Sequence, residues 1–246
     1  MSEFVVAVLA FLSMMGAALL GLFGKTRLPS EHLYDNTSSV VRLLARLFVV
    51  MTSLVLGLML NSAKTTFETN NRDIRTLATE LILLDRTLRA LGPEADDARR
   101  HLVEYVQTSL KGANILEEDP QAEASLEAAG TRLRAIRVSD EQKVALWNDA
   151  RQLYRRVVAQ RWVVLDQYGG TIPRPVIIVV ILWLAVIFAS YGYRVPRNTF
   201  VTASFFLAAL LISAAIYVIL DMDTPASSMT QASNVPFQRA LAQLQR

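Results

Sequence analysis

Arg46, Val50, Ser53, Gly57, Asn61 and Lys64 follow one another at steps of four, three, four, four and three. Those steps keep to one face of an α-helix. The face is small or polar along its length and carries a cation at each end. At membrane depth polar groups prefer water or protein to lipid, so such a stripe could line an aqueous path, and basic residues at both mouths would favour anions. The same pattern has a plainer reading, because small residues at four-residue spacing let membrane helices approach closely. A similar stripe, Ala10, Ser13, Ala17, Gly21 and Gly24, lies near the N-terminus.

Other chemistry finds little support. There is no glycine-rich phosphate loop, no nucleophile elbow, no His-Glu-x-x-His and no carboxylate–histidine repeat of a di-metal bundle. The sequence has no cysteine and only His32 and His101, which excludes thiolate zinc sites and cysteine nucleophiles and leaves no intramembrane histidine for haem. Asp221 and Asp223 could offer oxygen to calcium, but two carboxylates are a thin set; solvation at the membrane boundary, or an ion pair with Lys64 or Arg174, is the plainer expectation. The sequence therefore reads as a non-enzyme with no cofactor and no metal. The net charge of +3 is spread along the chain rather than gathered into a patch, so no nucleic-acid partner is expected.

The elements that must carry these residues are membrane-spanning helices. Of 246 residues, 52% are hydrophobic and 19% charged, and the mean hydropathy is +0.32; a soluble globule is excluded. The apolar surplus lies in four runs, giving spans at about 4–23, 44–63, 176–193 and 200–220, each near the roughly 20 residues a bilayer core requires. The first run lacks a basic leader and a small-x-small cleavage site, so it is expected to be retained as a span. The fold class is thus an all-α membrane protein with four transmembrane helices and a helical extramembrane bundle inserted between spans two and three. Its expected parts are a first transmembrane pair (1–63), the helical domain (64–172), a second pair (173–222) and a C-terminal tail (223–246).

The central segment is nearly balanced in charge and helical in pattern. Ile74, Leu77, Leu81, Leu84, Leu88 and Leu91 form a heptad seam that Phe67 opens, with no Gly or Pro between it and the second span. This predicts one long helix from about Arg42 to Leu91, stopped by Gly92-Pro93. Further helices are predicted over about Glu94–Glu118, Gln121–Ile136 and, from a Ser139-x-x-Gln142 capping box, to about Tyr168. The last has two apolar faces, Leu146, Ala150, Leu153, Val157, Val164 and Trp147, Tyr154, Val158, Trp162, Leu165, which predicts burial on two sides.

Specific residues resemble a known family. His32-Leu33-Tyr34-Asp35-Asn36-Thr37 before Val41-Arg42-Leu43, then Leu54-Val55-Leu56-Gly57-Leu58 and Ser62-Ala63-Lys64, resemble the bestrophin-like integral-membrane family of bacteria and plants, a domain of unknown function. So do Leu220-Asp221-Met222-Asp223-x-Pro225 and Pro236-Phe237-x-x-Ala240-Leu241. The family is distantly similar to bestrophin anion channels, which are pentamers whose second transmembrane helix lines the pore. That resemblance implies a homo-oligomer, a permeation path past Ser53, Gly57 and Asn61, and mouths at Arg46 and Lys64. Val50–Leu60 has no clear equivalent of the aromatic and isoleucine neck, and Asp221/Asp223 does not reproduce the larger acidic calcium clasp.

The sequence is accordingly read as an oligomeric membrane protein whose partners are lipid, its own copies and inorganic anions, conducting chloride-like anions passively. The alternative is a non-conducting interaction or sensory protein whose helical bundle binds a partner. The expected location is the bacterial inner membrane. Excess Lys/Arg in the 25–46 and 194–198 loops places them in the cytoplasm and the 64–172 domain outside, whereas the resemblance implies a cytosolic domain; protease access in spheroplasts separates the two.

Overall fold

The computed structural model describes residues 3–24, 35–111, 119–138, 140–166, 172–196, 198–223 and 235–245. Among them are eight α-helices: α1 (Glu3–Gly24), α2 (Asp35–Leu91), α3 (Asp96–Lys111), α4 (Pro120–Ala135), α5 (Glu141–Asp166), α6 (Arg174–Arg194), α7 (Thr199–Asp223) and α8 (Val235–Leu244). The fold is all-α, as the periodicity predicts, and four of the helices are long and apolar enough to cross a membrane. The chain forms two compact units, one of residues 1–66 and 170–223, the other of 67–169 and 224–246.

The first unit gathers α1, α6, α7 and the N-terminal part of α2. Its core is built from Ala10, Met14 and Ala18 of α1, Met59 and Ala63 of α2, Val180, Leu184 and Phe188 of α6, and Ala209 and Ile216 of α7. Helices α1 and α6 meet backbone to backbone. A Cβ on Gly21 would strike the carbonyl oxygen of Ala189, and one on Gly192 would strike that of Ala18. Small residues permit this approach, which is how helices associate where no hydrophobic drive separates them from lipid. The N-terminal small-residue stripe is therefore a packing device, although its buried centre runs along Ala7, Ala10, Met14, Ala18 and Leu22, with Ser13 and Ala17 half-buried beside it. On α7, Ser213 donates to the carbonyl of Ala7, and Phe11 meets Phe206 edge to face at 5.4 Å.

The second unit contains the heptad seam. Ile74, Leu77, Leu81, Leu84, Leu88 and Leu91 are all buried, while Phe67 is half-buried. The seam position between Phe67 and Ile74 belongs to Asn70, which is 3% exposed and whose Nδ2 has no hydrogen-bond partner. The helix ends at Gly92, which takes φ 95°, and Pro93 opens a short 3-10 turn. The predicted start at Glu94 thus falls in that turn and α3 begins at Asp96; its predicted end, Glu118, lies outside the described residues, as does the cap Ser139. Asp119 caps α4 by accepting from the backbone N–H of Gln121 at 2.8 Å.

On α5, Ala150, Leu153, Val157 and Val164 are buried. The second face is covered only in part: Trp147 donates to the carbonyl of Leu133 at 2.9 Å, Tyr154 donates to that of Leu126 at 3.1 Å, and Trp162 stays 53% exposed. Helix α8 buries Phe237, Ala240 and Leu244 in this same core. Its C-terminal carbonyls are held by Arg89, which donates to Gln243 at 2.8 Å, and by Arg99, which donates to Leu244 at 2.6 Å. Both arginines also clasp the buried Asp85, at 2.6 and 2.7 Å.

Candidate functional site

Helix α2 crosses the first unit with two unlike sides. Phe48, Thr52, Val55, Met59 and Ala63 turn inward: Met59 and Ala63 are buried, and Phe48 meets Trp183 of α6 edge to face at 5.5 Å. Thr52, Val55, Val180 and Trp183 line a small cavity of about 10 Å³. Thr52 donates to the carbonyl of Phe48 at 2.7 Å, so its hydroxyl is satisfied within the helix.

At 100° per residue, the set Arg46, Val50, Ser53, Gly57, Asn61 and Lys64 falls on the side nearly opposite that packed face. The structure leaves all six exposed, with Val50 at 67%. A Cβ built on Gly57 meets nothing within 4 Å. Small size on this face therefore serves no contact inside the chain, in contrast to Gly21 and Gly192. Arg46 and Lys64, eighteen residues apart, stand roughly 27 Å from each other along the helix axis, close to the thickness of a hydrocarbon core.

The structure exposes a second stripe on α2 that the sequence pattern does not single out. Leu43, Leu47, Leu54 and Leu58 are 54% to 68% exposed and lie beside the polar stripe. Their spacing of four, seven and four was the available signal, hidden by a run in which nearly every residue is apolar. The apolar window of α2 is 11% buried by its own chain, against 28% for each of the other three spans. Of the four spans, α2 is thus the one that presents most surface to whatever surrounds the chain.

The remaining sequence-selected residues are dispersed. Asp221 and Asp223 are buried rather than solvated, and Asp223 accepts from the backbone N–H of Ile172 at 3.0 Å, which pins the approach to α6. Asp35, Thr37 and Arg42 lie in the first turns of α2, while His32 and Pro225 lie outside the described residues. Among the described residues no group of three or more His, Cys, Asp or Glu could hold a metal ion.

A family model described as Bestrophin-like domain matches residues 12–237. A bacterial bestrophin homolog from Klebsiella pneumoniae, solved with a point mutation, matches at TM-score 0.63 and 13% identity, covering 97% of each chain. A second solved structure, described as a membrane protein and also a point variant, matches at TM-score 0.59 and 13% identity over 97% of this chain and 96% of its own. At that identity the likeness is one of fold. No curated protein matches the chain.

Proposed function

This chain belongs to the Bestrophin-like family, and from that premise we propose that it is a passive anion channel, formed by a ring of identical copies in the bacterial inner membrane. The second span lines the path. One observation carries the reading: the small, polar face of α2, with a cation at each end, is left uncovered by its own chain. A charge-bearing face in a bilayer must meet water or protein, and a ring of copies supplies both, water on the axis and protein on the flanks. The exposed leucines beside the polar face suit the flank, where a neighbouring copy or lipid covers them. Rings of Arg46 and Lys64 would concentrate anions at the two mouths.

Purified protein in liposomes tests this by chloride flux. The unaltered protein is expected to conduct, Ser53→Trp to block, and Asn61→Leu to slow the flux. Folded, oligomeric protein without flux would remove the channel reading in favour of a non-conducting interaction protein. Flux that neither substitution alters would move the path off α2.

A further inference from the structure

We propose that the groove between α4 and α5 binds a small monocarboxylate with an apolar or aromatic body, its carboxylate taken by the Arg161 guanidinium and its body laid against Trp162. This site lies in the second unit and goes beyond conduction; it uses none of the residues of the α2 stripe.

The groove encloses about 540 Å³, within the range of about 300 to 1,000 Å³ usual for small-ligand pockets. Its floor is preformed. Gly130 has no side chain to obstruct the Tyr154 ring, which packs where a Cβ would stand, and the Tyr154 hydroxyl is fixed on the carbonyl of Leu126. Leu126, Val158 and Ala159 give the lining apolar surface, and Trp162 stands 53% exposed at its edge.

Arg161 supplies the polar anchor. Its side chain is only 9% exposed; it hydrogen-bonds Tyr105, and its carboxylate partner Glu123 stands 3.6 Å away. The other pairs of this unit that involve Asp85 or Glu94 close to between 2.6 and 2.7 Å. A buried guanidinium is costly unless closely paired, and the planar fork matches a carboxylate with two parallel hydrogen bonds. Arg161 also lines a second cavity, of about 10 Å³, shared with Leu77, Tyr105, Ser109 and Asp119, the residue that caps α4. Tyr105 brings no negative charge there, since burial above all pushes its phenol up to about 12, against the opposing pull of Arg161.

Charge fixes the ligand class. The groove carries Arg134, Arg155 and Arg161 against Glu123 and Glu127, an excess of one positive charge. A single carboxylate neutralises that excess, while a phosphate dianion would exceed it.

The test uses full-length protein in detergent, titrated calorimetrically with benzoate and, for comparison, inorganic phosphate. Because the chain has no cysteine, Thr131→Cys places one thiol on the groove. Benzoate is expected to bind saturably and to slow thiol labelling there, and phosphate to do neither. Arg161→Lys should weaken benzoate roughly tenfold. Should that variant not fold, two exposed or half-exposed positions decide: Arg155→Glu should weaken binding and Glu123→Gln should tighten it, each about threefold. Folded protein that gives no saturable benzoate signal overturns the proposal. So do affinities unmoved by both outer substitutions, or a disulfide between copies through Thr131→Cys, which would mean that a second copy covers the groove.

Discussion

Asp85 shows how a single buried charge organises its surroundings. It is 2% exposed, clasped by Arg89 and Arg99, and those same arginines satisfy the last carbonyls of α8. Replacing Asp85 with Asn leaves two guanidinium groups short of their counter-ion and should cost about 3 kcal/mol. The check is a lower unfolding temperature together with faster proteolysis at α8. Glu94 tests a weaker, solvent-facing pair. Its bond from Lys143, at 2.6 Å, holds its carboxyl below the ordinary value of 4.5. The pair therefore adds stability above about pH 4.5, and that contribution disappears as pH falls through the lowered value. Melting temperature measured from pH 6 to pH 3 should separate unaltered protein from Glu94→Gln at the upper end and bring the two together at the lower.

Helix by helix, the sequence pattern foretold what periodicity controls. The leucine seam, the Gly92-Pro93 stop and the four spans all stand where apolar spacing and breakers put them, because helix faces follow from composition along one chain. Contact between distant helices has no such local signature. Gly21 and Gly57 sit in similar small-residue stripes, yet one touches the α6 backbone and the other touches nothing. That difference predicts opposite effects of the same change. Gly192→Ala should force α1 and α6 apart at a cost of about 1 to 3 kcal/mol, whereas Gly57→Ala should be neutral or stabilising by up to about 1 kcal/mol. Thermal unfolding in detergent reads both. The burial of Asn70 has no local signature either, since a polar residue on a leucine seam reads as a gap in the pattern.

For the molecule as a whole, family membership was legible in short strings such as Leu54–Leu58 and Leu220–Pro225, and the matching of residues 12–237 bears it out. The groove between α4 and α5 was not legible, because its residues come from two helices that only packing brings together. The absence of cysteine makes the channel reading accessible to chemistry in the intact assembly. Single cysteines at Ser53, Gly57 and Asn61 are expected to react with small charged thiol reagents, and one at Leu182, exposed on α6, only with membrane-permeant ones. Equal reactivity along both helices would count against an aqueous face on α2.

The glycine contact between α1 and α6 also sets an order of events. The two glycines lie about 170 residues apart in the chain, so at roughly 5 to 20 residues per second α1 is synthesised some 10 to 35 seconds before its partner. Helix α1 must wait for α6 in the bilayer, stable through its own backbone hydrogen bonds, with the face that meets α6 not yet covered by it. This backbone contact can therefore form only late, and assembly of α1 can be completed only after the entire intervening domain has left the ribosome.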